Sequence, residues 1–321
     1  MARLALTVAL GDYDRTLPLR TGEVRPDGVE LNVLTLTPEE MFYRMGRFRE
    51  FDVSEFSLST YTIRRGRGEP LVAIPVFPSR MFRHGSVFVR DGAGIAEARD
   101  LRGKRMGVPK YHMTAAVWIR GMLEDEYGLA PRDMRWLEGG EGASVKEVDV
   151  TLPPEVHLEH VPGDRNLGAM LAAGELDAFM GARRPAAFGK GVSRLFPDFR
   201  GVERAWYERT SIFPIMHTVV LKAELVEQHP WLPRSLYAAF TEAKLAAYRR
   251  LETTAALATS LPWQVAEAEE TRALMGDDPF AYGIARNRKT IDTLVGYSHR
   301  QGLAPRRLTV DEMFTPSLRD T

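Results

Sequence analysis

Asp91-Gly92-Ala93-Gly94-Ile95-Ala96-Glu97-Ala98-Arg99-Asp100-Leu101-Arg102-Gly103-Lys104-Arg105-Met106-Gly107-Val108-Pro109 is the stretch on which the fold turns. Its first four residues are a turn-rich break, a plausible domain crossing, and Asp100 onward is a loop feeding a short strand. An alternation of strands and helices runs up to this break and starts afresh beyond it. On the N-terminal side, Leu4 to Leu10 read as a buried strand ended by Gly11. Thr37-Pro38-Glu39-Glu40 starts a helix, with a threonine cap, a first-turn proline and a glutamate for the capping box. Phe51–Phe56, Leu71–Phe77 and Ser86–Arg90 read as further strands. Beyond the break, Tyr111-His112-Met113-Thr114 opens a helix that Gly128 ends, and Asp164 caps another through Ala172. A strand follows around Gly174 to Met180, and Phe213 to Leu221 reads as a strand returning to the first unit. Helical patterns dominate from Pro233 to Gln301, and Thr309-Val310-Asp311-Glu312 begins a last short helix.

This order predicts an α/β protein of two lobes, each a mainly parallel sheet flanked by helices, with a cleft between them. Residues 1–92 with 218–321 form the expected first lobe, and 93–217 the second. The length, 321 residues, suits two domains. With 44% hydrophobic residues the chain can build two cores without a metal or disulfide staple. Lysine and arginine total 43, and so do aspartate and glutamate. A balanced chain has neither the footprint of a nucleic-acid binder nor a polybasic membrane tether. Cysteine is absent, which excludes disulfides, thiolate catalysis, cysteine-ligated zinc and iron–sulfur clusters. The Leu4–Leu10 run is too short for a signal peptide and breaks at once into Gly11-Asp12-Tyr13-Asp14. No stretch approaches a membrane span in length, and a cytoplasmic location is the expectation.

Ligands of open α/β sheets sit beyond the carboxyl ends of the strands. Arg15, Arg80, Arg83, Arg183 and Arg184 fall in the corresponding loops, Tyr111 lies in one as well, and Ser57, Ser59 and Thr114 stand at helix N-termini. Arginine grips a carboxylate with a bidentate fork, and a helix N-terminus adds N–H donors and a favourable dipole. Any one of these arginines reads better as a surface charge paired with an acid. Five at one topological location point to an anionic ligand, a dicarboxylate. His84, His112 and His217 lie in the same loops, each a candidate acid or base near neutral pH or else a buried histidine bonded to a carbonyl. His157 and His160 would point to opposite faces of a strand, so no metal site is taken from them. No Walker loop, Gly-x-Gly-x-x-Gly or Gly-x-Ser-x-Gly occurs, which lowers nucleotide-dependent and serine-hydrolase readings.

Several of these segments carry a family resemblance. They are Gly11-Asp12-Tyr13-Asp14-Arg15-Thr16, Glu55-Phe56-Ser57-Leu58-Ser59-Thr60-Tyr61, Val76 to His84, Gly107-Val108-Pro109 with Tyr111 to Arg120, and Gly174-Glu175-Leu176-Asp177-Ala178. Together they resemble 4,5-dihydroxyphthalate decarboxylase, over essentially the whole chain up to Leu308–Phe314. The Ser-Arg-Met-Phe-Arg-His run and the run from Thr114 to Leu123 are the specific part. Gly174 to Ala178 and the Leu101 to Val108 run are the less specific part, similar to phrases that mark type 2 periplasmic binding proteins generally. The resemblance implies a two-lobed protein that removes CO₂ from a hydroxylated aromatic dicarboxylate to give protocatechuate, with no redox cofactor. On that footing Arg80 and Arg183 are expected to hold the carboxylates, with Arg15, Arg184 and Tyr111 also counted as binding residues. Ser57, Ser59 and Thr114 add neutral donors. His217, or next His84, protonates the ring, while Asp12 or His112 draws the phenolic proton. No cofactor is expected, a divalent metal assembled in the fold stays open, and so does a homo-oligomer. The alternative is a solute-binding or ligand-sensing protein for an aromatic acid on the same fold.

Overall fold

The computed structural model describes residues 3–139 and 148–321. Its strands, in chain order, are β1 (Leu4–Leu10), β2 (Val29–Thr35), β3 (Val53–Ser57), β4 (Leu71–Ile74), β5 (Val87–Arg90) and β6 (Arg105–Val108). They continue with β7 (Arg135–Glu138), β8 (Leu158–His160), β9 (Ala178–Met180), β10 (Val192–Arg194) and β11 (His217–Lys222). The helices are α1 (Leu17–Thr21), α2 (Pro38–Phe48), α3 (Leu58–Gly66), α4 (Thr114–Tyr127), α5 (Leu167–Ala172) and α6 (Phe199–Thr210). After them come α7 (Ala223–Gln228), α8 (Leu232–Glu252), α9 (Gln264–Met275), α10 (Arg288–Arg300) and α11 (Val310–Met313).

Two sheets result, ordered β2-β1-β3-β11-β4 and β10-β5-β9-β6-β7-β8. In the first only β11 runs against its neighbours, and in the second only β5 does. Both sheets are therefore mainly parallel. Parallel strands need crossover helices, which cover both faces, and this explains the near-continuous apolar run of β1 and the complete burial of β3. The helix signals are those of the sequence. Thr37 Oγ1 accepts from Glu40 N–H at 3.4 Å at the start of α2, and Gly128 closes α4 at φ +64°.

Two expectations change. The sequence places the Ser86–Arg90 strand in the first lobe, yet β5 is hydrogen bonded into the second sheet between β10 and β9. The chain thus passes between the sheets through residues 75–86, before the Gly92–Gly94 turn. The returning segment pairs with this passage: Met81 N–H donates to Pro214 O at 3.1 Å and Met216 N–H to Ser79 O at 2.8 Å. Asp164 does not cap α5. Asn166 does, its Oδ1 accepting from Ala169 N–H at 3.0 Å, because the helix starts two residues later than the pattern suggests.

The two halves are packed hard against one another through α4, which lies on α3 and α10. Trp118 of α4 donates its indole N–H to Ile215 O at 2.9 Å, and buried Arg120 donates Nε to Gln301 Oε1 at 2.9 Å. Gly121 lets Tyr297 approach so closely that a Cβ there would lie 2.3 Å from its ring.

Candidate active site

The carboxyl ends of β1 and β3 and the beginning of the reversed strand β11 share one edge of the first sheet. Across β3 and β11, His217 faces Ser57 and Val219 faces Glu55. His217 and Glu55 are therefore diagonal neighbours on the same face, since side chains alternate with period two. Glu55 is 0% exposed and takes three donors. Gly11 N–H reaches its Oε2 at 2.8 Å, while the Tyr13 hydroxyl and His217 Nδ1 reach Oε1 at 2.7 and 2.6 Å.

Burial opposes the charge on Glu55, but His217 foremost, with Gly11 and Tyr13, holds the carboxyl below its ordinary range. Burial, and then the Glu55 charge, push the Tyr13 hydroxyl far above its usual value, so it stays a proton-bearing donor. The Phe42 ring stands edge-on to His217 at 4.8 Å between centroids. With Nδ1 on Glu55, the imidazole presents Nε2, which has no hydrogen-bond partner among the described residues, and the side chain is 16% exposed.

The second sheet meets this edge through the residue that opens α4. Thr114 Oγ1 shares a 3.0 Å hydrogen bond with Ser57 Oγ and accepts Ser59 N–H at 3.1 Å. Ser57 also caps α3, taking Thr60 N–H at 3.3 Å. No side chain caps α4. The N-termini of α3 and α4 thus converge beside His217, with the buried Ser59 hydroxyl lacking a partner among the described residues. Helix N-termini and hydroxyls are groups whose chemistry suits a carboxylate.

The remaining expected residues are scattered. Asp12 is 72% exposed and paired with Arg20 at 2.8 Å, because its side chain leaves the β1 edge toward solvent. It is no base for this site. Arg80 is buried with Nη1 on Phe213 O at 3.2 Å and Nη2 on Ala281 O and Asn287 Oδ1. Its terminal nitrogens fasten the passage between sheets and are not offered to a ligand. Arg83 is buried against the Met216 sulfur at 3.2 Å.

His84 sits between Phe196 and Trp206, and burial, then Arg209, pulls its pKa down to about 4. Near neutral pH that burial favours the uncharged form of His84. Arg183 is 74% exposed and pairs with Glu39 at 2.9 Å, while Arg184 is exposed beside Phe188. Tyr111 is buried under the Arg120 guanidinium, 3.7 Å from its ring centre, and His112 is buried two residues before Thr114. Arg15 stays near the pair, its guanidinium carbon 4.4 Å from the Tyr13 ring centre.

A protein named 4,5-dihydroxyphthalate decarboxylase from Comamonas testosteroni is 42% identical over 323 residues, covering 99% of this chain and 98% of its own. The chain belongs to the 4,5-dihydroxyphthalate decarboxylase family. A second protein of that name, from Pseudomonas putida, is 43% identical over 217 residues, 66% of this chain and 84% of its own. No family model matches. Among solved structures, the alkanesulfonate-binding protein SsuA from Xanthomonas axonopodis pv. citri aligns at TM-score 0.57, 13% identity and coverage of 98% and 99%. The periplasmic aliphatic sulphonate binding protein SsuA from Escherichia coli aligns at 0.55 and 14% over the whole of both chains. These show the type 2 periplasmic-binding-protein-like fold.

In this member of the decarboxylase family, sequence alone assigns no role to Glu55, Tyr13 or Tyr282. The signal for Glu55 was present: an acid inside a strand that parallel pairing buries on both faces. Tyr282 offered no such signal. Its buried hydroxyl has no partner among the described residues and lies within the fields of Arg15, Arg80 and Glu55. Among the described residues, no group of three or more His, Asp and Glu side chains is placed to hold a metal ion, and no helix is long and apolar enough to cross a membrane.

Proposed function

We propose that the protein is a carboxy-lyase that converts 4,5-dihydroxyphthalate to protocatechuate and CO₂. The observation that carries the site assignment is the buried Glu55–His217 pair at 2.6 Å, set beside the Ser57–Thr114 junction. The names and full-length similarity of the relatives support the substrate.

In this reading one carboxylate rests on the Ser57, Ser59 and Thr114 donors and the open N-terminus of α4. His217, oriented by Glu55, gives its Nε2 proton to the ring carbon bearing the departing carboxylate. The hydroxyl para to that carbon feeds electron density into the ring. The bond to the carboxylate then breaks, its electron pair restores the aromatic ring, and CO₂ leaves with the delivered proton retained on carbon. His217 regains a proton from solvent. Such a positioned acid supplies roughly a hundredfold to ten-thousandfold. The buried acid–histidine pair beside a helix N-terminus favours the enzyme over the binding-protein alternative. A cytoplasmic location belongs to the same proposal.

The test is turnover of 4,5-dihydroxyphthalate by the protein and by His217→Ala, following protocatechuate and CO₂ together. A fall in kcat of about a hundredfold or more is expected. Turnover by the variant at the native rate removes His217 from the mechanism, and no turnover by the native protein removes the reaction.

A further inference from the structure

Between the α8–α9 hairpin and the loop carrying Asp14 and Arg15 lies a cavity of about 280 Å³. Its walls are largely apolar, from Leu251, Leu261, Ala268, Pro279 and Phe280. A cavity of about 150 Å³ is enough to hold benzene, so this one takes a ring with substituents. The acids at the rim are paired: Glu252 and Asp277 with Arg272, Glu267 with Arg200, and Asp14 with Arg15.

Arg15 retains capacity beyond its pairing. Its Nε donates to Pro78 O at 2.6 Å and Nη1 to Asp14 at 3.0 Å, while Nη2 has no hydrogen-bond partner among the described residues. The guanidinium carbon lies 4.3 Å from the Phe280 ring centre and 4.4 Å from that of Tyr13. An open guanidinium nitrogen at the edge of a ring-sized apolar cavity recognises a carboxylate carried on an aromatic ring. The α9 side of it is sparsely packed: only Gln264 of α9 is buried, and Leu257, Leu261 and Trp263 before it are exposed. Low local packing of this kind allows the opening that entry requires.

We propose that this cavity is a second binding site, for an aromatic monocarboxylate, with its carboxylate on Arg15 and its ring against Phe280 and Ala268. One layer of side chains, Arg15 and Tyr13, separates it from the Glu55–His217 pair. The Tyr13 ring touches Arg15 and its hydroxyl touches Glu55, so the two places share side chains. The site stands without the decarboxylase reading, although the product of that reaction is one member of the ligand class.

The probe is 4-fluorobenzoate, followed by fluorine NMR on the intact protein, with Ala268→Trp and Thr271→Trp each filling the cavity from α9. A bound signal present in the native protein and lost in a folded filling variant is expected. 4-Fluorobenzamide, the same ring without charge, should bind about tenfold more weakly or worse. A bound signal that survives in both variants overturns the site, as does the absence of any bound signal from the native protein. Equal binding of the amide overturns the carboxylate assignment. The readout needs no turnover, so its failure is separate from failure of the decarboxylase proposal.

Discussion

Replacing Glu55 by glutamine keeps the volume of the side chain and exchanges one acceptor oxygen for an amide that donates. The native carboxylate faces donors only: Gly11 N–H on Oε2, and Tyr13 O–H with His217 Nδ1–H on Oε1. An amide nitrogen on the Oε2 side meets Gly11 N–H and leaves buried donors facing each other, a cost of about 1–3 kcal/mol. Placed on the Oε1 side, it meets Tyr13 and His217, and the conflict is relieved when the histidine proton moves to Nε2. Either way His217 loses the anion that orients it. The expected fall in kcat is therefore about 10²–10⁴, with KM changed by no more than about threefold because carboxylate binding lies on other residues.

The assay is protocatechuate formation at saturating substrate, in steady state and single turnover, on protein whose cooperative thermal transition is intact. A folded Glu55→Gln enzyme with kcat within about threefold of native would refute the role given to the pair. Stability supplies a second readout. The folded-state pKa of Glu55 lies below its ordinary 4.5. Its stabilisation is therefore present above that value and is lost as the pH falls through the lower folded-state value. In the glutamine variant this part of the acid limb should disappear.

His84, by contrast, should matter to stability and not to turnover. Its pKa drops from 6.5 to about 4 on folding, so roughly 3 kcal/mol of stability is lost as the pH falls between those values. Denaturant titrations of His84→Gln from pH 7 to 4 should show a flatter curve, and a kcat loss like that of His217→Ala would return His84 to the mechanism. Arg183→Ala removes an exposed pair with Glu39, so the melting temperature should move by less than about 2 °C and KM should hold. A tenfold rise in KM, about 1.4 kcal/mol of binding, would show Arg183 on the substrate. Gly121→Ala puts a methyl 2.3 Å from the Tyr297 ring and should destabilise the α4–α10 contact by about 1–3 kcal/mol, seen as a lower urea midpoint. An unchanged midpoint would mean that these helices are not tightly joined.

Local rules and hydrophobic pattern determined much of this protein from sequence alone. The apolar Leu4–Leu10 run, the Thr37 cap and the Gly128 stop are short-range signals, and the structure contains the elements they announce. Strand alternation with helices, restarted after Gly94, is enough for two mainly parallel sheets. It was not enough for the sheet to which Val87–Arg90 belongs, because hydrogen-bond partners of a strand lie far away in sequence.

The same limit governs the site. Residue type and strand-end position singled out His217, Ser57 and Thr114, which the fold brings to one edge. Those criteria also singled out Asp12, Arg80, His84 and Arg183, whose side chains turn to solvent, to backbone carbonyls, to aromatic rings or to Glu39. Which way a loop side chain turns is decided by packing partners remote in the chain. Glu55 shows the reverse case. The sequence placed a carboxylate within a strand expected to be buried, but only the β3–β11 register set it 2.6 Å from a histidine 162 residues away. That proximity gives a costly buried charge its hydrogen-bonded partner.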